Sequence, residues 1–277
     1  MIVDAHCHVW PDAIAPRVLA GNPAGLTPRG DGTLTGLLST MDAAGIDMAC
    51  CLAIAVLPQH VAKTNAFIGG IDRTRFIPFG TVHPDLPVAR NLEILRDNGI
   101  RAIKLHPNFQ HLSLGDPRVV ELLGALAADG VVVLTHVGAG DDEAAHERGA
   151  PRHIRALVDA IPALDLVACH YGGYHRLDEA GDAVVGSRAY LETSWPPSVT
   201  ALDPEMIRGL VIRHGADRVV FGSDWPMADP GAEIAAIRAL GLSTTDEQAI
   251  LGGNLAALLG LDANGPDSHH MEGAHRQ

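Results

Sequence analysis

The feature that most constrains the fold is an alternation, repeated eight times, of short apolar runs with longer amphipathic stretches. The apolar runs are rich in Val, Ile and Leu, as in Ile46 to Val56. Such runs are typical of parallel strands that are covered on both faces, and the amphipathic stretches between them are typical of helices. Eight strand–helix units favour a closed (β/α)8 barrel, which commonly takes about 250 residues. The alternative, a doubly wound sheet, would need a Gly-rich phosphate loop after the first strand, and that position has none.

We assign residues 1–262 to this single barrel domain. Residues 263–277 are polar, contain Gly265-Pro266 and three histidines, and are predicted to be a disordered tail. The Gly- and Pro-rich stretch from Pro11 to Gly32 is long for a loop in a compact domain, and such loops often act as lids. In order, the predicted strands are Ile2 to Val9, Ile46 to Val56, Phe76 to Val82, Ile100 to Leu105, Val131 to Thr135, Leu164 to Cys169, Ala189 to Ser194 and Arg218 to Gly222.

Composition excludes several classes of protein. The 33 acidic residues outnumber the 20 basic ones and give a net charge of −13, so a basic nucleic-acid-binding surface is not expected. The sequence has no apolar stretch long enough to span a membrane, which takes about 18 or more residues. No basic segment precedes the first apolar run, so we expect no secretory signal and a cytoplasmic location.

The four cysteines all fall inside predicted strands, and two of them, Cys50 and Cys51, are adjacent. This arrangement suits small buried apolar residues better than disulfides or a zinc finger. Strand alternation is expected to turn Cys7 and Cys169 away from the face that carries the neighbouring histidines.

Polar side chains are concentrated at the ends of the predicted strands. On the first strand, alternation should place Asp4, His6 and His8 on one face, and two neighbouring imidazoles are half of a metal site. In a barrel, the carboxyl ends of all strands meet at one face. Burying so many polar groups is costly unless they share a ligand such as a metal ion. The other polar residues at predicted strand ends are His83, Lys104, His106, His136, His170 and Asp224.

Five short motifs, in order along residues 4 to 226, resemble those of the amidohydrolase superfamily. The resemblance is to the branch that contains aminocarboxymuconate-semialdehyde decarboxylase and other metal-dependent hydrolases. The motifs are Asp4-Ala5-His6-Cys7-His8, Lys104-Leu105-His106-Pro107, Thr135-His136-Val137-Gly138, Cys169-His170-Tyr171-Gly172-Gly173 and Gly222-Ser223-Asp224-Trp225-Pro226.

The resemblance implies roles for these residues. His6, His8, His136 and Asp224 would be the ligands of a divalent metal ion, with zinc expected and one ion preferred over two. Asp224 would also take a proton from the bound water. His170 would either polarise the substrate carbonyl or bind a second ion.

Lys104 has three alternative roles: a carboxylated bridge between two ions, a charge partner for Asp224 or a substrate carboxylate, or a lysine that snorkels to the surface. His83 and His106 are expected to fix loops or line the pocket. Ser194 and Trp195 are candidates for substrate contact.

We therefore expect a metal-dependent hydrolase in which a metal-bound water attacks a small amide, lactone or ester-like carbonyl. The alternative is a metal-dependent nonoxidative decarboxylase of an aromatic or muconate-type acid, which would use the same ligands. The compact chain favours hydrolysis. A third interpretation is a lactonase without metal, in which Asp224 activates water directly. A metal-storing scaffold is disfavoured, because an open coordination position at a loop-lined mouth is typical of catalysis.

The expected partner is a small-molecule substrate, and the sequence leaves open whether the chain forms a homo-oligomer. Four arginines in or near predicted loops are candidates to bind a substrate carboxylate: Arg17, Arg29, Arg152 and Arg176.

Overall fold

The structure is a computed structural model that describes residues 1–21, 26–140 and 142–261. Eight strands alternate with helices through this part of the chain, as the apolar pattern predicts. The strands are β1 (Val3–His8), β2 (Met48–Leu52), β3 (Phe76–Phe79), β4 (Ala102–Leu105), β5 (Val132–Thr135), β6 (Leu166–Ala168), β7 (Tyr190–Glu192) and β8 (Val219–Val220).

The helices lie between and after the strands. Two of them fall in segments that the sequence pattern left as loops: α1 (Ala15–Ala20), inside the long Gly/Pro-rich stretch, and α6 (Glu143–Arg148). The others are α2 (Leu34–Ala44), α3 (Val61–Gly69), α4 (Val88–Asp97), α5 (Pro117–Ala128), α7 (Pro151–Ala160), α8 (Leu177–Ala183), α9 (Pro204–His214), α10 (Pro230–Ala239), α11 (Thr244–Gln248) and α12 (Asn254–Leu259). The predicted tail, 263–277, lies outside the described residues.

Three of these helices, α5, α9 and α10, begin in the same way. An aspartate carboxylate, from Asp116, Asp203 or Asp229, accepts a hydrogen bond from the backbone N–H two residues further on. A proline then occupies the first helical position, where its missing N–H costs nothing and its fixed φ suits a helix. These Asp-Pro pairs end the loops that follow the strands and fix where the outer helices start.

All strand pairs are parallel, and the barrel closes at two narrow seams. Strands β1–β2–β3 form one sheet and β4–β5–β6–β7–β8 form another. The sheets are joined by a bridge between Gly80 and Ile103 on one side and by one between Cys7 and Trp225 on the other. At the second seam the N–H of Ala5 donates to the Phe221 carbonyl at 2.9 Å. The predicted single-domain (β/α)8 barrel is thus confirmed.

Alternate residues along the strands pack into two different apolar cores. Interior residues such as Ala5, Phe79, Leu134 and Val220 fill the barrel, and Leu255 of α12 packs against them. Their strand neighbours, together with the inward faces of the helices, form the larger core outside the barrel. Because the period is two, each strand directs every second residue inward, and on several strands the last of these residues is polar, as with Lys104 on β4 and Glu192 on β7.

Strand β1 contains a bulge that separates Asp4 from the histidines. Asp4 pairs with Ala49 and Cys7 with Cys51, so three steps on β1 oppose two on β2. One extra residue reverses the alternation at this point. The expectation that Asp4 shares a face with His6 and His8 is therefore wrong. Its carboxylate instead accepts hydrogen bonds from Ser223, from N at 2.9 Å and from Oγ at 2.6 Å.

None of the helices in the described ranges has the length and apolar character that crossing a membrane requires.

Candidate metal centre

Strand register and two backbone turns bring the polar side chains together at the carboxyl end of the barrel. Lys104 and His136 follow the inward register of β4 and β5, in line with the interior residues Ala102 and Leu134. His170 and Asp224 lie beyond the ends of β6 and β8, with φ of 60° and 63°. This left-handed conformation is uncommon outside glycine, but Asp and His adopt it more readily than most residues. It is typical of functional sites.

The structure brings together three of the four predicted ligands: His6, His8 and Asp224. The Nε2 atoms of His6 and His8 are 3.1 Å apart. Oδ1 of Asp224 lies 3.5 Å from Nε2 of His6 and 3.3 Å from Nε2 of His8. Ligand atoms bound tetrahedrally at about 2.0–2.2 Å from one zinc ion would be roughly 3.3–3.6 Å apart. The spacing of these three atoms therefore suits one shared ion.

The fourth predicted ligand, His136, lies against His170. Nδ1 of His136 is 3.0 Å from Nε2 of His170. The His170 ring is also adjacent to that of His6, with 5.4 Å between ring centroids. The five predicted metal-binding or catalytic residues thus form a single group of rings and carboxylate, in which His170 connects His136 to the group of His6, His8 and Asp224.

The hydrogen-bond partners of three histidines determine which ring nitrogen carries the proton. Nε2 of His136 lies 3.2 Å from the Ala139 carbonyl, and Nδ1 of His170 lies 3.1 Å from the Ser194 carbonyl. A carbonyl oxygen can only accept, so each of these nitrogens is the donor. Nδ1 of His6 likewise faces the carboxylate of Glu192 at 3.0 Å. In each neutral ring the remaining nitrogen, which faces the other site residues, bears a lone pair.

Burial keeps these rings neutral. His6, His136 and His170 are at most 6% exposed. Desolvation lowers the pKa of His6 and His136 well below the usual value and lowers the pKa of His170 to about 3. Asp224 is ionised: desolvation alone would raise its pKa, but the nearby His6 and His8 more than offset this and hold it at about 2. Neutral imidazoles and an ionised carboxylate are the forms that bind metal.

Lys104 lies at the floor of this group and contacts Cys169. Its Nζ is 3.2 Å from Nε2 of His6 and donates to Sγ of Cys169 at 3.0 Å, and both side chains are fully buried. The expectation that Cys169 points away from the histidines is therefore wrong. Cys169 is the inward residue of its strand, in line with Val167. His170 reaches the same side only because its left-handed φ turns the chain after the strand.

Glu192 is a site residue that none of the sequence motifs contains. Ser194, predicted as a candidate for substrate contact, forms a hydrogen bond to it. Glu192 is fully buried on β7, and its Oε2 lies 3.0 Å from Nδ1 of His6. Ser194 Oγ donates to the same Oε2 at 2.9 Å and lies 3.0 Å from Nδ1 of His170. Burial raises the pKa of Glu192 above its usual value. The sequence does contain a signal for Glu192. It follows Tyr190 by two residues and therefore shares its inward face on a predicted buried strand.

Aromatic rings line the outer side of the site, although the chain is only 4% Phe, Trp and Tyr. His106 stacks between His136 and Phe109, with ring centroids 4.4 Å and 3.8 Å away. Tyr174 packs against His170 on one side and Trp195 on the other, at 5.0 Å and 5.1 Å. His106 and Trp195 therefore line the site through ring contacts.

The other candidates from the sequence lie further out. His83 accepts a hydrogen bond from the Asp85 N–H at 3.2 Å and fixes the loop after β3. Arg152 pairs with Glu147, and Arg176 with Glu143 and Glu179. The backbone N–H of Arg29 donates to the carbonyl of Pro226, two residues after Asp224, at 2.6 Å. Arg17 is an exposed residue of α1.

The donor set fits a divalent metal ion. Three imidazole nitrogens with lone pairs, on His6, His136 and His170, face this group, together with His8 and the ionised Asp224. Lone pairs that face one another across about 3 Å repel unless a cation lies between or beside them. Imidazole nitrogen and carboxylate oxygen are the usual ligands of zinc in catalytic sites.

The comparisons with known proteins agree with this architecture. The sequence profile of the amidohydrolase family matches residues 3–261. A comparison with curated protein sequences finds no match. Similar solved structures include an uncharacterised TIM-barrel protein from Bordetella bronchiseptica, with a TM-score of 0.72, 21% identity and coverage of 94% of this chain and 98% of that one.

Two further structures combine the same fold with named activities. A 2,6-dihydroxybenzoate decarboxylase has a TM-score of 0.72 at 17% identity, covering 94% of this chain and 99% of that one. A candidate 2-pyrone-4,6-dicarboxylic acid hydrolase from Pseudomonas putida has a TM-score of 0.64 at 21% identity, covering 94% and 97%. At identities this low, the likeness shows the fold and not the reaction. The family profile spans nearly the whole chain, and the resemblance inferred from the five motifs is confirmed: the chain belongs to the amidohydrolase family.

Proposed function

We propose that the protein is a metal-dependent hydrolase of a small amide, lactone or ester-like substrate, with one divalent ion, zinc, held by His6, His8, His136 and Asp224. The observation that carries this proposal is the convergence of the Nε2 atoms of His6 and His8 on Oδ1 of the Asp224 carboxylate, at 3.5 Å and 3.3 Å. The Nε2 atoms of His6 and His8 are 3.1 Å apart, a separation that suits ligands of one ion.

A bound divalent ion would supply Lewis acidity and would lower the pKa of a coordinated water. The protein supplies the acceptors for protons. The carboxylate of Asp224, with Oδ1 facing the two strand-one histidines, takes the proton of the attacking water. His170 offers the lone pair of Nε2 toward the same space, since its Nδ1 donates to Ser194. Lys104 places an amine beside His6, where a cationic form would bind a negatively charged substrate group.

A second candidate function is nonoxidative decarboxylation of an aromatic or muconate-type acid by the same residues. The partly exposed rings of Phe109 and Tyr174, which pack against His106 and His170, favour it, because they offer flat apolar surface to a planar acid. One of the similar structures is named as a 2,6-dihydroxybenzoate decarboxylase and another as a candidate pyrone dicarboxylic acid hydrolase. The site therefore suits both reactions, and the product distinguishes them.

The test is a substrate panel applied to protein stripped of metal and reconstituted with zinc, manganese or cobalt. The panel contains small lactones, esters and amides on one side and hydroxylated aromatic acids on the other. Hydrolysis of lactones and esters is followed by proton release, hydrolysis of amides by the amine that forms, and decarboxylation by carbon dioxide. We expect proton release that is lost on chelation and restored by metal. Carbon dioxide formation from the acids would replace our first proposal by the second. Lactone hydrolysis that survives complete metal removal would contradict both and would favour a metal-free lactonase.

A further inference from the structure

We propose that Glu192 and Ser194 are positioning residues that together fix the ring tautomers of His6 and His170 and thereby determine how tightly the centre holds its metal ion. The effect on metal affinity rests on the proposed metal centre. The effect on the ring tautomers concerns the protein alone and is testable without metal.

Both oxygens of the Glu192 carboxylate face hydrogen-bond partners. Oε1 accepts from the backbone N–H of Ser194 at 2.5 Å. Oε2 faces Nδ1 of His6 at 3.0 Å and accepts from Oγ of Ser194 at 2.9 Å. The backbone N–H of His170 also points at Oε2, at 3.4 Å. One carboxylate thus collects donors from β1, from the segment after β7 and from the turn after β6.

The consequence for His6 follows from the acceptor-only character of a carboxylate. Because Oε2 cannot donate, Nδ1 of His6 must carry the ring proton, and Nε2 is left with its lone pair. Nε2 is the atom that faces His8 and Asp224. Carboxylates that hold the far nitrogen of a metal-binding histidine fix both its tautomer and its ring orientation.

Ser194 extends the same constraint to His170. A hydroxyl has one proton, and Ser194 gives it to Oε2 of Glu192, so toward His170 its Oγ can only accept. The Ser194 carbonyl, 3.1 Å from Nδ1 of His170, is a second acceptor for the same N–H. Nε2 of His170 is thereby left as the lone-pair nitrogen that faces His136. Glu192 and Ser194 therefore determine the tautomers of both the His6 ring and the His170 ring.

Replacing Glu192 by glutamine gives a specific prediction, because an amide has one acceptor oxygen where the site needs two. The backbone N–H groups of Ser194 and His170 both remain donors, but that of Ser194 is much closer, at 2.5 Å against 3.4 Å, so the amide oxygen faces Ser194. The amide NH2 is then directed at Nδ1 of His6, which must accept, so the ring proton moves to Nε2. In the metal-free Glu192→Gln variant we expect His6 to be protonated at Nε2, whereas the metal-free wild type is protonated at Nδ1.

The experiment combines two measurements on the full chain. Nitrogen-15 NMR of histidine-labelled, metal-free protein reports the tautomer of each ring, with the His6→Ala variant assigning the signal. Competition with a chromophoric chelator reports zinc affinity. We expect Glu192→Gln to invert the His6 tautomer and to weaken zinc binding roughly 10- to 100-fold, the usual effect of losing such a partner. We expect Ser194→Ala to weaken binding less and to change the NMR signals of His170.

Two matched variants control for the loss of a buried polar group. Glu233 is also a buried glutamate bonded to a serine, Ser198, but it holds the loop after β7 to α10. Ser187 is a buried serine whose Oγ accepts from the Ala189 N–H, before β7. Glu233→Gln and Ser187→Ala should leave both the histidine tautomers and zinc affinity unchanged.

The outcomes separate this inference from the proposed function. A wild-type His6 ring protonated at Nε2, or a Glu192→Gln variant with unaltered tautomer and zinc affinity, would overturn the inference. Failure of that variant to fold leaves the wild-type spectrum and Ser194→Ala as sufficient tests. If the wild type shows the expected tautomers but binds no zinc, copper, cobalt or manganese, the proposed metal centre fails, and the link from these residues to metal affinity fails with it.

Discussion

Nδ1 of His136 and Nε2 of His170 face each other at 3.0 Å, although the other nitrogen of each ring is already a donor to a backbone carbonyl. Two neutral rings held in these tautomers turn lone pairs toward each other, which is unfavourable without a cation or a shared proton. The backbone of two separate loops, at Ala139 and Ser194, enforces the arrangement.

The first prediction concerns metal retention. His6→Ala removes an imidazole from the three ligand atoms that lie 3.1–3.5 Å apart, so the variant should lose both bound metal and activity. Metal per chain is measured by elemental analysis after dialysis against trace zinc. The control is His214→Ala, which removes a buried histidine whose Nε2 bonds the Ala189 carbonyl away from the site. Full metal occupancy in His6→Ala would show that His6 is not a ligand.

The second prediction separates His170 from the ligands. With one ion, His170 acts on the substrate, so His170→Ala should keep about one metal per chain while turnover falls roughly 10²–10⁴-fold, the usual size of a general acid–base contribution. The measurements are metal stoichiometry and steady-state kinetics on the same preparation. Loss of metal in step with activity would instead make His170 a ligand.

The third prediction concerns Lys104. Its Nζ is 3.2 Å from Nε2 of His6 and bonds Cys169, so it lies beside the proposed metal ligands. With one ion, wild type and Lys104→Ala should each hold about one metal. Cys169→Ala, which removes the partner of Lys104 but no predicted ligand, is the matched variant. Two ions in the wild type and one in Lys104→Ala would establish a carboxylated bridge in place of our one-metal proposal.

The fourth prediction concerns stability and pH through Glu233, away from the metal centre. Burial raises its pKa from 4.5 to about 7, while its carboxylate accepts from Ser198 and Val199. The folded state therefore binds more protons than the unfolded state between these values, so this group destabilises the fold as pH rises from about 4.5 to about 7. At about 1.36 kcal/mol per pKa unit, the loss is about 3 kcal/mol.

Glu233→Gln removes this titration and keeps an acceptor. Urea unfolding of both proteins across this pH range should show wild type losing stability relative to the variant as pH rises, with no further change above about pH 8. Parallel pH profiles for the two proteins would show that Glu233 does not titrate in this range.

Much of the site followed from the sequence because barrel strands direct alternate residues inward at one face. That rule places Lys104, His106 and His136 without further information. It failed where the backbone departs from a regular strand. The β1 bulge moved Asp4 to the other face, and the left-handed φ of His170 allowed both it and Cys169 to face the site. Neither departure is marked by a glycine, the residue that most often signals such geometry. The bulge lies between Asp4 and Cys7, and the left-handed residue is His170.

Glu192 was overlooked for a different reason. The motifs consist of residues that would contact the metal or the substrate, whereas Glu192 contacts Nδ1 of His6, the hydroxyl of Ser194 and the backbone N–H of His170. The inward register of β7 would have identified it had every buried carboxylate been required to have a partner. The helices α1 and α6 were not predicted because each is only six residues long.

The two narrow seams of the barrel give the proposed ion a mechanical role. His6 and His8 belong to the three-stranded sheet, whereas His136 and Asp224 lie on the five-stranded one, and β1 meets β8 through few backbone hydrogen bonds. An ion bound to all four would connect the two sheets at this seam, where few backbone hydrogen bonds join them. Its removal would loosen this edge first, so the amide protons of Ala5 and His8 would exchange with solvent sooner than those inside either sheet.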